Sequence, residues 1–126
     1  MSSEVKLWGS TTEVLTDRKI SVQHATIKSR HACSWHSHAV RSNRFYVVSG
    51  KLGIQLADGS NPVQVVMPRQ VFSVDPGVVH RMIGLAPETE VLEIYHGQAG
   101  PEDIQRLSSG GLMDDAQWAA IMSLVE

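Results

Sequence analysis

From Ile20 to Leu92 the chain alternates short apolar runs with turn-forming residues, and nowhere in that stretch is a helical period sustained. The pattern predicts strands at Ile20–Ile27, Cys33–His38, Phe45–Ser49, Lys51–Leu56, Val63–Met67, Val71–Val74, His80–Leu85 and Val91–Tyr95. Ser49-Gly50 and Asp58-Gly59 fall between apolar runs as hairpin turns, where glycine takes the positive φ such turns demand. Glu88 and Glu90 are placed in the turn before the last strand. Evenly spaced short strands of this kind close into a sandwich or barrel, here over about residues 20–97. Ahead of it, Val5, Leu7, Trp8, Val14 and Leu15 predict one or two edge strands covering a sheet.

After Gly97 the pattern changes. Gly100-Pro101-Glu102-Asp103 puts proline at a first helical position and acids in a first turn, predicting a short helix over about residues 101–107 that Ser108-Ser109-Gly110-Gly111 breaks. Asp114 with Gln117 three residues on reads as a capping box, and Met113 as a staple against Trp118, so a second helix is predicted over about residues 114–125. Trp118, Ile121, Met122 and Val125 recur at helical spacing as one apolar face, expected to dock on the barrel or on a partner subunit. With edge strands in need of cover, that face predicts a homodimer.

Composition narrows the function classes. The 126 residues suit a single domain, and 42% hydrophobic and 19% charged residues with a net charge of -2 describe an ordinary globular chain. Positive charges are scattered, so no nucleic-acid surface is expected. The start Met1-Ser2-Ser3-Glu4-Val5-Lys6 lacks the apolar core of a signal peptide, and no run approaches membrane-spanning length, which predicts a cytoplasmic protein without a membrane partner. The lone Cys33 has no internal disulfide partner. Its odd separation from His36 puts it on the opposite face of a regular strand, as a small buried hydrophobe.

The chemistry lies in the histidines. In an extended strand His36 and His38 project to one side while Ser37 points away, and His80, entering after the Pro76-Gly77 turn, closes a facial three-nitrogen site from a second strand. Neutral imidazoles hold a divalent transition metal such as Zn, Fe, Ni, Mn or Co, and the sequence leaves the choice among them open. His24, His31 and His96 have no partner at ligand spacing and are read as surface or hydrogen-bonding residues. Arg41, Arg44 and Arg81 could gather round an anionic ligand, Arg41 being the best placed and Arg81 facing away from the metal. Phe45, Val47 and Met82 line an apolar cavity beneath the metal or are plain core. Glu93 and Tyr95 share one face of the last strand and are the nearest candidates for a base.

Cys33-Ser34-Trp35-His36-Ser37-His38 with Asn43-Arg44-Phe45-Tyr46-Val47-Val48-Ser49-Gly50 resembles the first motif of the cupin superfamily, and Val74-Asp75-Pro76-Gly77-Val78-Val79-His80-Arg81 resembles the second. The resemblance implies an all-β double-stranded β-helix, a jelly-roll barrel, with C-terminal helices, and a metal held by histidines of both motifs. Arg44 to Gly50, His80-Arg81, Leu92 to Gly97 and Pro101 to Leu107 look like the cupin domain of bifunctional phosphomannose isomerases. One position departs from the motif. Asn43 stands where the family carries a glutamate ligand, and its amide could coordinate weakly, bond a metal-bound water, or shape the pocket mouth.

Three functions are compatible with such a site. The first is a sugar-phosphate-isomerase-like or lyase-like enzyme acting on a small anionic metabolite, in which the metal polarises a carbonyl oxygen and a base moves a proton. The second is a three-histidine Fe(II) dioxygenase, because a histidine face without carboxylate resembles cysteine-dioxygenase-like cupins. The third is a non-catalytic protein that binds or senses a small ligand.

Overall fold

A computed structural model describes residues 2–125 and places two antiparallel sheets face to face. The first sheet contains β1 (Ser3–Lys6), β2 (Gly9–Thr16), β3 (Ile20–Lys28), β6 (Ser42–Ser49), β9 (Val71–Val74) and β11 (Glu88–His96), in the order β1-β2-β3-β11-β6-β9. The second is centred on β10 (His80–Gly84). On one side β10 pairs with β7 (Leu52–Leu56), which pairs with β8 (Val63–Val66). On the other it pairs with β4 (His31–Ala32) and β5 (His36–Ser37), which are flanked by β13 (Gly111–Leu112) and β12 (Gln105–Arg106). The fold is the double-stranded β-helix, with the predicted N-terminal strands present as β1 and β2. No helix among the described residues is long and apolar enough to cross a membrane.

Alternation along the strands builds the interior. Ala25, Ile27, Phe45, Val47, Ile54, Met82 and Val91 point between the sheets and are closed to solvent, joined by Trp8, Cys33 and Val74. A second cluster lies outside the barrel, where Ile121 of helix α1 (Asp115–Val125) packs on Ala32, Ile83 and Met113, with Trp118 at its margin. The helix starts as expected. Asp114 accepts the Gln117 amide at 2.8 Å while Gln117 accepts the Asp114 amide at 2.9 Å, the reciprocal capping box.

Several local expectations yield to long-range contacts. Residues 101–107 form no helix. The Asp103 carboxylate, instead of serving a helix start, accepts the backbone amides of Ala39, Val40 and Arg41 at 2.8–3.2 Å, and Gln105-Arg106 pairs with β5. Ser49-Gly50 is a corner rather than a hairpin, because β6 and β7 belong to different sheets. At Gly50 φ is +86°, and a Cβ there would stand 2.4 Å from the Glu88 carbonyl oxygen, so only glycine fits. Glu88 and Glu90 lie within β11 and not in a turn, paired with Lys28 and Thr26 of β3. Asp58-Gly59 does join the hairpin β7–β8.

The expected strand Cys33–His38 is broken, and the break positions the site. Ala32 pairs with Ile83 and His36 with His80, so four residue steps on one strand face three on the other. That extra residue is a β-bulge, and it shifts the inward parity by one. Cys33 therefore faces the interior on the same side as His36, not the opposite side. Its sulfur accepts the Met82 amide at 3.0 Å, and its own amide donates to the Met82 carbonyl at 3.0 Å. Burial pushes the thiol up to about 12, so it is neutral and acts as a small packed group.

Candidate metal centre

His36 and His80 meet as cross-strand partners on the inner face of the second sheet, and His38 follows one turn of pleat beyond His36. All three are at least nine-tenths buried, and their nearest ring nitrogens lie within 4.8 Å of one another. Backbone carbonyls fix the rings. His36 Nδ1 donates to Ser34 at 2.7 Å, His38 Nδ1 to Asp103 at 2.6 Å and His80 Nδ1 to Val78 at 2.9 Å. Those bonds hold each neutral ring in the tautomer whose Nε2 carries the lone pair. The Nε2 atoms of His38 and His80 are buried without any hydrogen-bond partner among the described residues. Buried polar atoms are seldom left so, and three imidazoles with ring nitrogens this near one another fit a divalent transition metal, which takes such nitrogens at ~2.0–2.1 Å.

Burial also keeps the imidazoles uncharged. It lowers His36 to about 3, with the neighbouring His80 adding to the effect, lowers His80 to about 4, and lowers His38 as well. The unfolded chain takes up these protons near the ordinary value of 6.5, so below it the unfolded state binds more protons. Stability of the metal-free protein should be full above about pH 6.5 and decline as pH falls toward 4. Glu93, whose carboxyl is raised by burial, contributes in the opposite sense. Thermal melts should show a level Tm from about pH 7.5 to 6.5 and a falling one from there to about 4.5, and a series flat to the lower end would contradict neutral buried rings.

His36 and His38 border a cavity of about 630 Å³ that extends to the N-terminal strands. His36, His38, Arg41, Met82, Glu93 and Tyr95 line it, and Phe45 and Val47 do not. The latter two are core, although the Phe45 ring lies 5.8 Å from that of His80. Arg44 is exposed, and Arg81 points outward, donating to Gln55 at 2.9 Å and stacking 4.5 Å from Trp35. His24 lies beside Glu90 at 3.6 Å, and His96 is exposed. Asn43 is buried on the inner face beside Tyr95 and Phe45, not at the pocket mouth, and neither atom of its amide has a hydrogen-bond partner among the described residues. An amide oxygen is a poor donor to a transition metal, so Asn43→Ala should change metal affinity less than about tenfold. Asn43→Glu should tighten binding and favour harder cations such as Mn. Metal content after dialysis reads both.

Glu93 is nearly closed to solvent at 2% exposure. The Gln23 side-chain amide donates to Oε2, and the Tyr95 hydroxyl donates to Oε1 at 3.2 Å. Burial raises the Glu93 carboxyl, and these two hydrogen bonds offset part of that. Burial first, then the adjacent Glu93, holds the Tyr95 hydroxyl well above its ordinary value. Sequence reasoning missed Gln23 and Asp103. Gln23 pairs with Glu93 only across β3 and β11, 70 residues apart. Asp103 buttresses both His38, through its carbonyl, and the 39–41 segment, through its carboxylate. Burial would raise that carboxyl, but the amides of Arg41, Val40 and Ala39 prevail and hold it below its ordinary value.

No family model and no curated protein matches the chain. Solved structures do. Bacillus subtilis oxalate decarboxylase superimposes with a TM-score of 0.72 at 14% identity over 84% of this chain. The match spans only 30% of the length of that enzyme. An uncharacterised double-stranded β-helix protein of Klebsiella pneumoniae gives 0.66 at 16% identity, over 75% of each chain. KdgF of a Halomonas species gives 0.66 at 16% identity, over 75% of this chain and 84% of its own. These likenesses establish the fold, the double-stranded β-helix.

Proposed function

We propose that the protein is a metal-dependent enzyme of the isomerase or lyase class that moves a proton at a carbon beside a carbonyl or carboxyl group of a small molecule. The observation that carries this reading is Glu93. It is a buried carboxylate with a raised pKa, lining the same cavity as His36 and His38, two of three imidazoles whose ring nitrogens lie within 4.8 Å of one another. A divalent metal held by His36, His38 and His80 would supply Lewis-acid polarisation of a substrate oxygen. Everything else falls to the chain's own side chains. Gln23 and Tyr95 each donate to one oxygen of Glu93, fixing the carboxylate while leaving lone pairs free to take a proton. Because burial lifts its pKa, the protonated Glu93 is stable enough to return that proton to a neighbouring carbon.

Likeness to an oxalate decarboxylase supports the lyase side of the class, and the sequence resemblance to phosphomannose-isomerase cupin domains supports the isomerase side. The test is proton NMR in D₂O of metal-loaded protein with short 2-hydroxy and 2-keto acids, aldoses and mannose 6-phosphate. Loss of a C–H signal beside a carbonyl, with deuterium incorporation, is the expected result. Oxygen consumption by the iron-loaded protein without exchange would replace this reading with the dioxygenase. Ligand binding with neither would make the protein a binder.

A further inference from the structure

Arg41 is a buried cation that the fold leaves without a matched acceptor. It is 6% exposed, lines the cavity, and its Nε has no hydrogen-bond partner among the described residues. The nearest carboxylate is Asp103, 3.8 Å from that nitrogen and already committed to three backbone amides. Its position is nonetheless built. Asp103 accepts the Arg41 backbone amide at 2.8 Å, and Gly97 lets the segment approach so closely that a Cβ there would stand 3.0 Å from the Arg41 Cα. The guanidinium stacks 4.4 Å from the centre of the Tyr95 ring. That ring lies 5.2 Å from His38, and its hydroxyl bonds Glu93. Arg41, the metal centre and the proton-moving carboxylate thus all border one aromatic side chain.

A guanidinium is kept out of water at a cost, and a planar two-oxygen anion satisfies its fork. We infer that Arg41 receives the carboxylate of a short hydroxy- or keto-acid whose second oxygen faces His36, His38 and His80. The inference rests on the metal-centre reading for that second anchor, while the carboxylate anchor stands without it. A monoanion fits better than a phosphate dianion. Lys6 is paired with Glu4, Arg106 is exposed, and Glu4, Glu13 and Glu93 also border the cavity, so one buried guanidinium carries the attraction.

The experiment compares glycolate with its neutral isostere glycolamide, and with methyl phosphate, by NMR titration of wild type, Arg41→Gln and Arg41→Lys. It is run on metal-free protein, where no bound cation favours the anion, and repeated after metal loading. Wild type should prefer glycolate to glycolamide by about 10- to 100-fold. Arg41→Gln should erase that preference without changing metal uptake, and Arg41→Lys should restore part of it. An unchanged preference in Arg41→Gln would overturn the assignment, as would equal weakening of both probes, which marks a structural role. Tighter binding of methyl phosphate than of glycolate would overturn the carboxylate class. Wild type that takes up no metal but keeps an Arg41-dependent preference would sink the metal-centre reading alone.

Discussion

Replacing His36, His38 or His80 by alanine should strip the protein of its metal. A structural zinc site of about four donors is worth roughly 10–16 kcal/mol, so one donor accounts for about 3 kcal/mol and its loss for at least ~10²-fold in affinity. The effect should be larger here than that share suggests, because two remaining imidazoles are fewer than the three donors such centres ordinarily need. The alanine variants should otherwise fold, since each loses one neutral ring and its Nδ1 bond to a backbone carbonyl, a cost of about 1–3 kcal/mol. Metal content after dialysis, measured beside the thermal melt, separates loss of the ion from loss of the fold. Full retention in His80→Ala with loss in Asn43→Ala would show that the ligand set is wrong.

Glu93→Gln should lower turnover by about 10²–10⁴-fold, the usual contribution of a positioned acid–base group. The amide has the shape of the carboxyl, still accepts the Tyr95 hydroxyl through its oxygen, and cannot take up a proton at neutral pH. Metal content should not change, because Glu93 is outside the group of His36, His38 and His80 whose ring nitrogens lie together, and sits on β11 in the sheet opposite His36 and His80. Stability at about pH 7 should change little, since removal of a buried carboxylate is set against loss of the acceptor for the Gln23 side-chain amide. Deuterium exchange at the substrate carbon reads the rate directly. An unaltered exchange rate would remove Glu93 from the mechanism and leave Tyr95 as the remaining candidate on that strand.

The histidine triad was legible because strand alternation and a Pro-Gly entry are local rules, and each half of the site obeys them closely enough. His36 and His38 do share a side, and His80 does arrive beside them. Where the reading failed, the deciding partner lay far away in the chain. Cys33 was assigned the wrong face because a bulge inserted between Ala32 and His36 cannot be seen without the pairing of β10. Pro101 to Leu107 carries the chemistry of a helix start, yet three amides of the 39–41 segment outcompete it for the Asp103 carboxylate. Ser49-Gly50 has the composition of a hairpin turn, and only the sheet membership of β6 and β7 makes it a corner. The helix at Asp115–Val125, by contrast, was readable in full, because its capping box and staple are all within a few residues.

The central claim is that His36, His38 and His80 hold one metal ion through their Nε2 atoms. X-ray absorption spectroscopy of the zinc-loaded protein tests it most directly. The account predicts one ion per chain with three imidazole nitrogens at about 2.0–2.1 Å, the remaining coordination coming from solvent oxygen. Each alanine variant should lose one imidazole from that spectrum or lose the ion. A sulfur scatterer near about 2.3 Å, or an imidazole count unchanged by His80→Ala, would contradict it.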